Sequence, residues 1–364
     1  MAKDDILKCL NKTAGDALSD YYLPGLAIGV KIRDREPLIV TEGFSSFPLR
    51  LPLSKDNVFH MASISKLFTA CGIMILFSEK DISLDAYITD LLPGFKMLKT
   101  KGLSCDYSDI TVRKILSHTS GLPDVTDYRW DLQNISERAL KDYCESKDVK
   151  KRTLLWSCDE NRFSYSNIGY ELLGLIIQEM GSMPFEDYMD SVFFEPLNMR
   201  DSTFKTYERT ENSSLSIKDL LSVNVAAPHR KDRDNNIVYE KHFPYNRAHG
   251  PSSTLTSTLS DILIWSQNLL NRSPLFHSIY SFSPFLPVTD VPNSDEKIGL
   301  SFFIREEKGK TYIGHEGSDD GFRSSLWMCP DTGISIIVCS NLTKAPVKRI
   351  NKEIFTMIHD RLSQ

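Results

Sequence analysis

Several signals that would send the reading elsewhere are missing from this 364-residue sequence. Its eight histidines include no HExxH or comparable ligand spacing, so nothing calls for a metal. The seven cysteines, at 9, 71, 105, 144, 158, 329 and 339, contain no CxxC pair. The opening stretch MAKDDILKCLNK carries acidic residues and no apolar signal core. Scattered thiols in odd number, with no secretory signal, point to free cysteines and a cytoplasmic location. The longest apolar run, ACGIMILF, is too short to span a bilayer, which argues against a membrane partner. A net charge of -5 provides no basic field for nucleic acid. There is no internal repeat, no low-complexity tract and no GxSxG elbow.

What remains is an ordinary globular composition, 41% hydrophobic and 25% charged, long enough for about two domains or one large one. Ile6, Leu7, Leu10, Ala14 and Leu18 share one face of a helix over 4–20. LAIGVKI (26–32) and PLIVTEG (37–43) flank the charged turn RDRE as a β-hairpin. Near the other end, IGLSFFIR (298–305), TYIG (311–314), FRSSLWM (322–328) and ISIIVC (334–339) read as strands. Ile350, Ile354, Met357, Ile358 and Leu362 mark a closing helix.

Between about 64 and 286 the periodicity is mostly helical, with YELLGLIIQEMG ending at a capping glycine. The charged stretch 228–247 reads as an exposed loop, and 287–297 as a connection. The expected fold is therefore α/β (α+β): an antiparallel sheet built from both chain ends and flanked by helices. Residues 1–63 and 287–364 would form that sheet domain. Residues 64–286 would form an inserted, mainly helical lobe, with the active site at the junction.

Three clusters bear on chemistry. In HMASISKLFTA, Ser63 and Lys66 lie one turn apart at the mouth of an apolar helix. The amine can reach the hydroxyl, and the helix dipole favours both a developing alkoxide and a neutral lysine. A capping serine with a solvated lysine is the competing reading, and Ser-x-x-Lys also occurs at Ser202–Lys205 and Ser294–Lys297. In RFSYSNIGYELLG, Tyr165 and Asn167 precede a second apolar helix; a phenol beside a lysine can be partly ionised and relay protons. A capping turn with a packed tyrosine is the alternative. In GHEGSDDGFRSSLW, Gly317 removes a side chain where substrate would lie along a strand edge, and His315 points outward. The Ser318 N–H could join that of Ser63 as an oxyanion hole. LSHTSGLPD (116–124) reads as a structured cleft loop, and Ser260 or Asp261 as the cap of the helix that follows His249.

Taken together, Ser-x-x-Lys, Tyr-x-Asn and His-x-Gly in this order resemble the serine β-lactamase and D-alanyl-D-alanine peptidase superfamily. The likeness is to the branch around class C β-lactamases and their esterase, peptidase and acyltransferase relatives. It extends through EKDISLDAYITDLLPGF, ITVRKILSHTSGLPD and STLTSTLSDILIWSQNLLN, and covers most of residues 25–341. The resemblance implies Ser63 as nucleophile, Lys66 as its activating partner and Tyr165 as proton relay. Asn167 would support the acyl side chain and Lys66, and the backbone N–H groups of Ser63 and Ser318 would form the oxyanion hole. His315 and Gly317 would line the opposite wall.

One departure bears on substrate. His315-Glu316-Gly317 stands where β-lactamases of this branch carry Lys-Thr-Gly, so a neutral imidazole and a carboxylate replace the cation that meets a substrate carboxylate. Arg323, a few residues on, is the alternative source of that cation. The expected activity is a cofactor-free serine hydrolase, an esterase or peptidase/amidase acting on a small molecule through an acyl-enzyme. An acyltransferase using the same acyl-enzyme, and a non-catalytic binding protein of the same fold, are the alternatives.

Overall fold

A computed structural model describes residues 3–362. Among these, nine strands form one antiparallel sheet: β1 (Gly25–Ile32), β2 (Leu38–Ser46), β3 (Leu51–Pro52), β4 (Thr289–Asp290), β5 (Lys297–Ile298), β6 (Phe303–Glu307), β7 (Lys310–Asp319), β8 (Phe322–Cys329) and β9 (Ile334–Ser340). Their spatial order is β3-β2-β1-β9-β8-β7-β6-β5-β4. The two ends of the chain meet at the centre, where Leu26 lies opposite Ser340 and Ile32 opposite Ile334.

Both faces of this sheet are covered, so its strands are apolar on both sides. On one face Ile28, Trp327 and Ile336 pack with Ile6 and Leu10 of α1 (Lys3–Tyr21) and with Ile350 and Ile354 of α5 (Val347–Leu362). On the other, Ile313, Leu326 and Ile337 belong to the core shared with α2 (Ser65–Glu79), α3 (Asn167–Gly181) and α4 (Leu259–Leu270). Alternation along a strand then sorts its residues. Odd positions of β7 and even positions of β8 face the helical lobe, and their neighbours face α1 and α5.

Helix α2 is buried at every position from Ser65 to Phe77, as befits a helix apolar all round. The segment Ala62–Glu79 is long and apolar enough to cross a membrane by length and composition, but 83% of it lies inside the protein as a core helix.

Several local expectations change. IGLSFFIR is two strands, broken where Ser301 adopts φ +73° and donates its N–H to Leu116 O at 2.7 Å. The stretch 228–247 is not an exposed loop. It forms a hairpin (His229–Lys231 with Ile237–Tyr239), then buries Phe243, Tyr245 and Arg247, the last paired with Glu186 at 2.8 Å. The left-handed residue closing α3 is Ser182, one past Gly181. Thr258, not Ser260 or Asp261, caps α4 by accepting the Asp261 N–H.

Candidate active site

Ser63 sits in a 3-10 turn (Ala62–Ile64) just ahead of α2, so the α-helix proper begins two residues later than its nucleophile candidate. Three contacts hold that turn. Met61 N donates to Leu255 O at 2.8 Å, the Ser324 hydroxyl donates to Met61 O at 2.7 Å, and Ser65 Oγ donates to Ala62 O at 2.7 Å. Ala62 itself is held at φ +48°, a left-handed conformation that costs an L-residue about 1–2 kcal/mol. Strain of this kind persists only where surrounding structure over-determines it.

Lys66 is fully buried, and its Nζ donates to Ser63 Oγ at 3.0 Å and to the Ser252 carbonyl at 2.8 Å. The second contact depends on Gly174 of α3, where a Cβ would lie 2.0 Å from Pro251 Cγ. Burial pulls the lysine down from 10.5 to about 8, against the carboxylates of Glu171, Asp124 and Asp319, which hold it up. Glu171 is buried below it and accepts from Ser252 Oγ at 2.6 Å and from His249 Nδ1 at 3.0 Å. Asp319 accepts from His60 Nε2 at 2.8 Å and from the Ser253 hydroxyl.

Tyr165 lies beside the Ser63–Lys66 pair: the Ser63 side chain favours its ionised form, and Lys66 Nζ lies 4.9 Å from the Tyr165 ring centre. Burial raises this phenol well above 10, so it is a protonated donor near neutral pH.

LSHTSGLPD builds the seat of Tyr165. His118, at φ +54°, stacks on the Tyr165 ring at 4.4 Å between centroids. Its carbonyl accepts Ser164 N–H at 2.7 Å and its Nδ1 accepts Ser166 N–H at 3.2 Å. Asp124 Oδ1 accepts both the backbone N–H and the Nδ2 of Asn167, each at 2.8 Å. Asn167 thus has its Nδ2 held by Asp124 rather than by Lys66. Its N–H group is engaged by Asp124, its Oδ1 is a buried acceptor without a partner, and no hydrogen bond joins it to Lys66 among the described residues.

Gly317 and His315 both lie on the lobe face of β7. The space at Gly317 is not open for substrate: a Cβ there would stand 2.0 Å from Ser324 Oγ and 2.4 Å from Met61 O. The glycine lets β7 press against the turn that carries Ser63. His315 is buried rather than outward-pointing, with Nδ1 donating to Glu316 O at 2.6 Å and Nε2 unpartnered. Burial, then the Lys66 charge, lowers it to about 3, so it is neutral across the working range.

Glu316 points to the opposite face. Glu316 accepts from Trp327 Nε1 at 2.6 Å and Ser325 Oγ at 3.0 Å, and burial raises it to about 7. Arg323 donates to the carbonyls of Asp319 and Phe322 at 2.9 and 2.7 Å. Glu316 is therefore on the other side of the sheet from His315, and the Arg323 guanidinium is held at the turn between β7 and β8. Ser318 lies on the exposed last turn of β7, one residue beyond the contact with the Ser63 turn. His118, Asp124 and Glu171 went unrecognised as site residues; their only signal was the Gly- and Pro-bearing loop around the first two.

A serine and a tyrosine around a buried lysine, between an antiparallel sheet and a helical lobe, are the arrangement of a serine β-lactamase/transpeptidase-type protein. The comparisons agree: a Beta-lactamase family model matches residues 10–357, and the chain belongs to that family of serine hydrolases. Protein flp of Staphylococcus aureus (strain MRSA252) is 24% identical over 95% of this chain, which spans 65% of that relative's length. Penicillin-binding protein 4* of Bacillus subtilis (strain 168) is 26% identical over 82% of the chain and 64% of its own length. In fold, the octameric penicillin-binding protein homologue from Pyrococcus abyssi superposes with a TM-score of 0.81 at 22% identity, covering 99% of this chain and 78% of that one. D-amino acid amidase from Ochrobactrum anthropi gives 0.78 at 20% identity, covering 98% and 99%.

Proposed function

We propose that this chain cleaves an ester or amide of a small, uncharged or cationic molecule through an acyl-enzyme on Ser63. The observation that carries the reading is the 3.0 Å contact between Lys66 Nζ and Ser63 Oγ, made by a lysine that burial has brought to about 8. Neutral Lys66 takes the hydroxyl proton as Oγ bonds to the substrate carbonyl carbon and its π pair moves onto oxygen. The N–H groups of Ser63 and Ser318 receive that oxyanion, each donor being worth about 3–4 kcal/mol. As the bond to the leaving group breaks, Tyr165 gives it a proton and recovers one from the Lys66 ammonium. Water then repeats the sequence on the acyl-enzyme. Asn167 Oδ1, the unpartnered acceptor, receives a substrate N–H.

The amidase among the fold neighbours makes amides a natural part of the trial. The decisive experiment offers p-nitrophenyl esters, D-amino-acid amides and a chromogenic cephalosporin, and maps a fluorophosphonate adduct by mass spectrometry. Turnover with the adduct on Ser63 is expected. An adduct on Ser120, Ser202 or Ser294 with none on Ser63 would overturn the assignment.

Two further results are expected. Because the base is the neutral form of Lys66, kcat/KM should rise with pH and level off above about 8. A profile flat from pH 6 to 9 would exclude this ionisation. Because His315 stays neutral down to about 3, the preference for a methyl ester over its matched free acid should be the same at pH 6 as at pH 8. His315→Lys should improve the acid about tenfold, through a charge-assisted contact of about 1–2 kcal/mol. Arg323→Ala should leave the preference unchanged, since its guanidinium is taken up by the carbonyls of Asp319 and Phe322.

A further inference from the structure

Two of the seven cysteines are not scattered in space. Cys105 Sγ lies 2.7 Å from Cys158 Sγ, closer than two unbonded sulfurs rest and approaching the covalent separation of about 2.05 Å. No other two cysteines touch among the described residues. The contact belongs to a built seam. Leu98 N donates to Arg152 O at 3.0 Å, Thr100 Oγ1 to Leu154 O at 3.3 Å, and Cys105 N to Ser157 Oγ at 3.1 Å. Ser104 Oγ meets Ser157 Oγ at 2.7 Å and Asp159 Oδ2 at 2.8 Å. The backbone on both sides therefore already holds the two sulfurs close to bonding range.

We propose that Cys105 and Cys158 form a reversible disulfide that staples the loop at 98–106 to the strap at 152–160. The strap backs the seat of Tyr165: Leu155 N donates to Gly121 O at 2.8 Å, within the LSHTSGLPD loop. Cys105 is the entry point, because it is partly exposed while Cys158 is buried. With a small-molecule disulfide such as oxidised glutathione as oxidant, the Cys105 thiolate attacks one sulfur and expels a glutathione thiolate. Cys158, as its thiolate, then attacks the Cys105 sulfur of the mixed disulfide and expels the second. Two electrons pass from the protein to the oxidant, and the two thiol protons end on the two glutathiones. Nothing in this step depends on the hydrolase reading.

The test is equilibration of the full chain with oxidised glutathione, followed by alkylation and peptide mapping without reductant. A cross-linked peptide pair bearing Cys105 and Cys158 is expected, with the thiol titre of the denatured protein lower by two. The melting temperature should rise by about 5 °C and return on adding dithiothreitol, since the closed loop is long. Cys105→Ser and Cys158→Ser should each abolish that rise. Recovery of both residues as free thiols, or as separate glutathione adducts, would overturn the proposal. So would an unchanged melting temperature in the cross-linked protein. Fluorophosphonate labelling of Ser63 in the same samples reads the hydrolase assignment independently.

Discussion

Lys66→Met should slow acylation of Ser63 about a thousandfold, and Tyr165→Phe about a hundredfold or more. The Lys66–Tyr165 double variant should be little worse than the lysine variant alone. Lys66 is hydrogen-bonded to Ser63 and packs on the Tyr165 ring, and residues that act as one unit are grossly non-additive when removed. Lys66→Arg should be as slow as Lys66→Met, because a guanidinium cannot shed the proton that a base must lack. Removing the cation also leaves Glu171, Asp124 and Asp319 without their shared counter-charge. Stopped-flow acylation should therefore be read beside a melting curve, where a loss on the order of 3–5 kcal/mol is expected. A Tyr165→Phe enzyme within about tenfold of wild type would remove Tyr165 from the proton path.

Gly317→Ala should be nearly as damaging although it deletes nothing. Its methyl would fall 2.4 Å from the Met61 carbonyl and 2.0 Å from Ser324 Oγ, and Ser324 is the residue that fixes that carbonyl. Either β7 or the Ser63 turn must retreat, and a displacement of about 1 Å at a reacting group costs about a hundredfold. The diagnostic is a fall in kcat/KM far larger than the fall in thermal stability. Substitution of Gly174 makes the complementary case, since its conflict is with Pro251 and would move the Ser252 carbonyl off Lys66. A Gly317→Ala enzyme with unaltered kinetics would mean that the contact between β7 and the Ser63 turn does not set the site.

The sheet was legible because both ends of the chain carry short apolar runs split by turns, and the Ser63–Lys66 pair because one helical turn brings them together. Other features were hidden for physical reasons. Glu316 reads as a cleft residue because β7 and β8 are buried on both faces, which erases the polar–apolar alternation that normally sorts a strand. His118 and Asp124 act on Tyr165 and Asn167 across a long loop, by backbone and ring contacts that no spacing encodes. Glu171 sits among the apolar residues of α3 and reads as an exposed position until the His249 and Ser252 segment is folded over it. The Cys105–Cys158 contact depends likewise on two segments that only the fold makes adjacent.

Because the sheet closes by pairing β1 with β9, the order of synthesis has a consequence for activity. Ser63 and Lys66 leave the ribosome early, but the Ser252 carbonyl, Ser324 and Gly317 come much later. Until those segments dock, Lys66 remains a solvated ammonium with an ordinary affinity for its proton, and Ser63 is an ordinary alcohol. On the proposed function, the reactive pair is assembled only when the last strands take their places, so completion of the fold is itself the activating step.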